Sequence, residues 1–194
     1  TDGAAGGEGP PDQLALRRAA ETKAGLAKLA VPTMLGFPDG ALASHMPDAA
    51  VSLRSLITAV EPDMVITHAP EDYHPDHRAL SKLVEDAAGF ICPVFFADTL
   101  MGVSFAPEFY VDITPFAVEK QAAIMAHDSQ TPERFAAASN LQNRFRAGQC
   151  NAPDGHYAEA FRINRRFPFA DVSGLLPAAP PRRPFYRQLP DAMI

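Results

Sequence analysis

Cysteine is scarce in this chain. Cys92 and Cys150 are its only two among 194 residues, and they stand in no metal-binding spacing. That excludes a disulfide-dense scaffold and a cysteine-held zinc cluster, and it fits a reducing, cytoplasmic setting. An excess of basic charge is missing as well. Lys and Arg number 17 against 23 Asp and Glu, a net charge of −6, which argues against a nucleic-acid partner. No apolar run approaches the ~20 residues of a membrane helix, and no signal-peptide pattern is present. The first βα turn lacks Gly-x-Gly-x-x-Gly, which weighs against a nucleotide-binding domain. Tight hairpin signals such as Asn-Gly do not occur between the β-rich runs, which weighs against a meander of antiparallel strands.

What remains is globular in composition, 47% hydrophobic and 21% charged, and long enough for one domain with a sizeable core. Helical and strand patterns alternate along it. Such alternation implies an α/β fold with right-handed βαβ crossovers, a mostly parallel sheet, and helices on both faces.

The most informative stretch is Pro62–Gly89. Met64, Val65 and Ile66 read as a short buried strand behind a Pro-Asp breaker. Leu80, Leu83, Val84 and Ala87 recur at helical spacing. Between them lie His68, Asp72, His74, Asp76 and His77, so three of the six histidines crowd one strand-to-helix turn. In open α/β sheets that carboxyl edge is where ligands bind. Pro75 suits the first helical position, which makes His74 the N-cap and puts His77 in the first turn. Residues three apart share a helix face, so the two imidazoles point the same way. Zinc accepts neutral imidazole nitrogens, and Asp76 is placed to bond a neighbouring ring. The same His-Pro-Asp-His also suits a solvated helix cap, and the spacing leaves both readings open.

Elsewhere, Thr1–Pro11 is rich in glycine and proline and reads as a loop. A helix capped by Asp12 carries Leu14, Leu16, Ala20, Ala24, Leu26 and Leu29 inward, with Arg18 and Glu21 as a surface ion pair. Thr33–Gly36 reads as a short strand leading to a turn with Asp39, and Pro47–Val60 as a helix. Ile91–Ala97 and Glu108–Ile113 are strands, the second nearer an edge. A helix starts at Thr114-Pro115 and runs to about His127. Another is capped by Thr131 before Pro132, with Phe135, Ala138, Leu141 and Phe145 as its apolar face. Tyr157–Phe161 reads as a helical turn. From Phe167 the prolines, with Arg182, Arg183 and Arg187, predict an extended tail over residues 167–194 behind a domain over 1–166.

These segments, taken in order, resemble the PIG-L / LmbE-like zinc-dependent N-deacetylases. The resemblance is carried by Pro62-Asp63-Met64-Val65-Ile66-Thr67-His68 and His74-Pro75-Asp76-His77-Arg78. It extends to Arg18 with Glu21, Leu35-Gly36-Phe37-Pro38-Asp39-Gly40, Tyr110-Val111-Asp112-Ile113, Ala126-His127-Asp128-Ser129-Gln130 and Tyr157-Ala158-Glu159-Ala160-Phe161. It implies a Rossmann-like three-layer sandwich, here without the first strands, and hydrolysis of the acetyl or other acyl amide of a sugar-like small molecule. By the same resemblance His77 is a Zn2+ ligand, His74 the catalytic histidine, and Asp76 its orienting carboxylate. Arg18 and Asp39 fall where the family contacts substrate. Lys120 and His127 recur without an assigned role. The family's Ala-His-Pro-Asp-Asp-Glu motif, with two further metal ligands and the general base, has no counterpart in these residues; Thr1-Asp2-Gly3 corresponds to the end of the strand that follows it. Asp39, His68, Asp72, Asp98 and His127 are possible substitutes, none in a metal spacing with His77. A competing expectation is an inactive fragment or a non-catalytic binding domain. The incomplete sheet also predicts a homo-oligomer that covers its exposed face.

Overall fold

A computed structural model describes residues 1–172 and 174–183. Its elements are α1 (Pro11–Gly25), α2 (Met46–Val60), β1 (Val65–His68), α3 (Pro75–Ala88), β2 (Val94–Ala97), β3 (Phe109–Asp112), α4 (Ala117–Met125), α5 (Pro132–Gln149) and β4 (Ala158–Ile163). Single 3-10 turns precede α2, α4 and α5. No helix among the described residues is long and apolar enough to cross a membrane.

The α/β class is as the alternating pattern predicts, but the sheet is mixed. Its order is β1-β2-β4-β3. The β1–β2 ladder is parallel, while β4 runs antiparallel to both β2 and β3. The difference lies in β4, which the sequence presents as a helical turn. Its burial alternates over Ala158–Ala160 and resumes at Phe161 and Ile163. Alanines give little strand signal; here they are small because α5 lies against this strand, with Ala147 and Ala152 packed on Ala158. The Thr33–Gly36 stretch forms no strand.

One face of the sheet packs Val94, Phe96 and Ala160 against Ile57 of α2 and Val84, Ala87 and Ala88 of α3. The other face carries Phe95, Val111, Phe161 and Ile163, and what covers it is the C-terminal segment, through Phe169, Val172 and Leu176. That segment turns at 167–168 and bends at 175–176, and the Ala178 carbonyl accepts from the Asp112 N–H. Arg187 lies outside the described residues.

Two helices sit differently from their apolar patterns. In α5, Phe135, Leu141 and Phe145 are exposed, and the buried side contains Ala136, Asn143, Arg146 and Ala147. A polar network sets that rotation. The Arg146 guanidinium bonds both Asp98 carboxylate oxygens, at 2.6 and 3.0 Å, and Asn143 donates to the Ala158 carbonyl at 3.0 Å. In α1, Leu14 is buried but Leu16 and Leu29 are exposed. Glu21 is no surface partner of Arg18. It bonds Arg17 and both Ser129 polar groups; burial pushes its carboxyl up, but those bonds and the Arg17 charge outweigh it and hold it low.

Arg146 and Asp98 are buried together, with side chains 4% and 10% exposed. Removing one partner strands the other charge. Asp98→Ala is therefore expected to cost about 3–5 kcal/mol, read as a lowered urea midpoint with an unchanged slope.

Candidate metal centre and its two cavities

The site is built where β1 ends and α3 begins. Pro75 is the first residue of α3 and His74 its N-cap, as the sequence predicts, and the His74 Nδ1 accepts the Asp76 N–H at 3.2 Å. The intervening loop is held by Asp72, a buried residue. Its Oδ1 accepts from the His74 N–H and from His77 Nδ1, both at 2.9 Å. Arg78 donates to the carbonyls of Asp72 and Tyr73, each at 2.8 Å. An Asp two residues before an N–H donor commonly makes this local bond. Here it also fixes a histidine.

The rings of His74 and His77 lie together, with centroids 4.7 Å apart and 31° between their planes. His68 stacks flat on His77 at 3.7 Å and 2°. Ligand atoms of His68, Asp72 and His77 all fall within 4.8 Å of one another. Sequence spacing gave His77 no internal partner; folding overturns that, because the turn doubles back and lays the strand end on the helix start. Asp98 and His127 do not join the group. Asp98 is bound to Arg146, and His127 lines the cavity on the Arg18 side.

Two imidazoles and a carboxylate fit a borderline divalent cation such as zinc. His77 Nδ1 faces Asp72 Oδ1 at 2.9 Å, so a cation held by both residues would replace that hydrogen bond. Burial lowers the pKa of His68 to about 4, aided by His77 and His74 and opposed by the Asp72 charge. The ring is therefore neutral and available as a donor at pH 7.

Asp76 differs from its expected role. Its carboxylate accepts the backbone N–H groups of Gly40 at 2.7 Å and Leu42 at 3.1 Å. It ties the 36–42 turn to α3 and bonds neither imidazole. The carboxylate that orients a ring is Asp72, on His77.

Arg18 and Asp39 do come to this place. The Arg18 Nη1 lies 3.8 Å from an Asp39 oxygen, and the guanidinium donates to the carbonyls of Gly3 and Gly6. The N-terminal loop thus wraps a cation. A Cβ at Gly3, where φ is +73°, would stand 2.6 Å from the Arg18 Cδ, so both backbone and space require glycine. A cavity of about 740 Å³ has Arg18, Asp39, His74, Asp76 and His77 in its lining, brought together from three separate stretches of the chain. A second cavity, about 380 Å³, opens beside His68 and Asp72 and reaches Lys120 and Glu159. His77, Tyr73 and Phe135 border both. The sequence offered His68 and Asp72 as possible ligands but gave neither a spacing that pairs it with His77; the fold supplies that pairing, one residue closing the strand and one two residues before the cap.

Comparison with known proteins comes to the same place. Residues 1–88 match the family model of PIG-L, described as GlcNAc-PI de-N-acetylase. No curated protein matches the chain. Among solved structures it is similar to a conserved protein from Thermus thermophilus, at 28% identity over 80% of this chain and 74% of that one, TM-score 0.64. It is also similar to a triple mutant of a deacetylase from the teicoplanin biosynthetic pathway, at 26% identity over 79% and 73%, TM-score 0.61. N,N'-diacetylchitobiose deacetylase from Pyrococcus horikoshii shares the fold, at 23% identity over 84% and 69%, TM-score 0.66.

A depressed histidine pKa has a sign. The unfolded His68 ring takes up a proton near pH 6.5 and the folded ring only near pH 4, so the folded state is penalised as pH falls through that window. In metal-free protein the urea midpoint is expected to drop between about pH 7 and about pH 5. His68→Gln should narrow that drop; an undiminished drop would show that other groups cause it.

Proposed function

With residues 1–88 matching the PIG-L family model and the described chain folded like the LmbE-like deacetylases, we propose that this protein is a metal-dependent hydrolase. It removes the acetyl or other acyl group from the amide nitrogen of a sugar-like small molecule. The observation that carries this reading is the gathering of His68, Asp72 and His77 within 4.8 Å, beside His74 and an Arg–Asp pair in one cavity. Zinc suits that donor set. When bound, such an ion polarises a carbonyl and acidifies water.

The rest of the chemistry falls to the chain's own side chains. Water's oxygen bonds to the acyl carbon, the C–N bond breaks, and the amine departs with a proton. Asp72 holds the His77 ring in place through Nδ1. His74 accepts the Asp76 N–H at Nδ1, so its proton sits on Nε2, at the far side of the ring. In that tautomer it donates a hydrogen bond to the carbonyl oxygen as negative charge grows there. Arg18 and Asp39 offer a fixed donor and a fixed acceptor, the pairing that hydroxyl groups require. The domain proposed over residues 1–166 is completed by the start of the following segment, whose Phe169, Val172 and Leu176 pack on the sheet. Two free thiols suit a reducing compartment, and the cytoplasm is the setting proposed.

Two variants test the reading. His74→Ala is expected to lower kcat on an N-acetylated amino sugar by about 10²–10³; an unchanged kcat refutes its role. His77→Ala is expected to strip zinc, measured by elemental analysis, and full occupancy would remove it from the metal's ligands.

A further inference from the structure

We propose that Lys120 and Glu159 form a hydroxyl-recognising subsite in the smaller cavity. This rests on the hydrolase reading above.

The argument starts from which polar groups in that cavity are still free. Gln142 is spent at both ends: its Oε1 accepts from the Met101 N–H and its Nε2 donates to the Thr99 carbonyl. Asn143 is spent too, donating to Ala158 and accepting from Lys120. Asp98 is bound at both oxygens by Arg146. These groups form a fixed wall. Lys120 and Glu159 differ. The Lys120 ammonium donates to Asn143 at 2.9 Å and to Glu159 Oε1 at 2.6 Å, which uses two of its three protons. Glu159 uses one oxygen only among the described residues. Their side chains are 29% and 35% exposed, so both are reachable from the cavity.

A donor and an acceptor held side by side match one hydroxyl, or two neighbouring ones, since a hydroxyl both gives and accepts a hydrogen bond. Phe135 borders this cavity and the one holding Arg18, giving an apolar surface between two polar ends. The cavities meet at His77. A ligand whose amide lies at the metal centre therefore has a polar pair waiting in each cavity: Arg18 with Asp39, and Lys120 with Glu159. A structural brace between α4, α5 and β4 accounts for the Lys120 bonds but leaves the second oxygen of Glu159, a residue lining the cavity, with no bond among the described residues.

The test is calorimetric titration of the zinc-supplemented full chain with N-acetylglucosamine and with N,N'-diacetylchitobiose. The disaccharide is expected to bind at least about tenfold more tightly, the worth of one charge-assisted hydrogen bond. In Lys120→Met/Glu159→Leu the gap should close while monosaccharide affinity and zinc content stay the same. Glu159→Gln, which keeps the shape, should narrow the gap without moving Tm, and decides the matter if the double variant does not fold. Equal affinities in the unaltered protein, or a gap that survives the substitutions, overturn the subsite. A gap that closes as expected in a protein that hydrolyses neither sugar upholds the subsite and overturns the hydrolase reading alone.

Discussion

One carboxylate oxygen, Oδ1 of Asp72, holds the centre of this molecule in register. It accepts the His74 backbone N–H and the His77 ring N–H together, and so joins the loop after β1 to the first turn of α3. Asp72 is buried, with 6% of its surface exposed, where an unpartnered carboxylate is costly and a partnered one makes strong bonds. The Arg78 guanidinium closes the same loop from outside through two carbonyls. These contacts hold the His77 ring, which lies flat against His68.

The surrounding fold serves that turn. The parallel β1–β2 ladder fixes the strand end that carries His68. Asp76 ties the turn bearing Asp39 to the start of α3 through two backbone N–H groups. The glycine loop then presents carbonyls to Arg18 and turns it toward Asp39. On the other side α5 is rotated by Arg146 and Asn143 rather than by its aromatic residues, and that rotation shapes the wall of the smaller cavity. Polar networks thus place the two cavities, while apolar packing places the sheet. Both cavities are within the range of small-molecule sites.

Much of this was legible in the chain because it rests on local rules. Pro75 at the first helical position, His74 as cap and the strand before them follow from turn chemistry and periodicity. The nearness of His74 and His77 follows from helical spacing. What escaped depends on contacts distant in sequence. No pattern of apolar residues reveals that Arg146 and Asn143 turn inward on α5, or that the alanines of β4 are small to admit a helix. The pairing of His68 with His77 depends on how sharply one loop reverses, which Asp72 decides. Asp76 misled for a related reason: a carboxylate beside two histidines looks like their partner, yet its bonds run to a turn some 36 residues away.

The central claim is that His68, Asp72 and His77 share one cation. X-ray absorption spectroscopy of the zinc-loaded chain measures this most directly, because imidazole rings leave a distinct multiple-scattering signature. Two imidazoles with further oxygen ligands, at about 2.0–2.2 Å, are the expected result. A zinc ion with a single imidazole, or with none, would contradict the account.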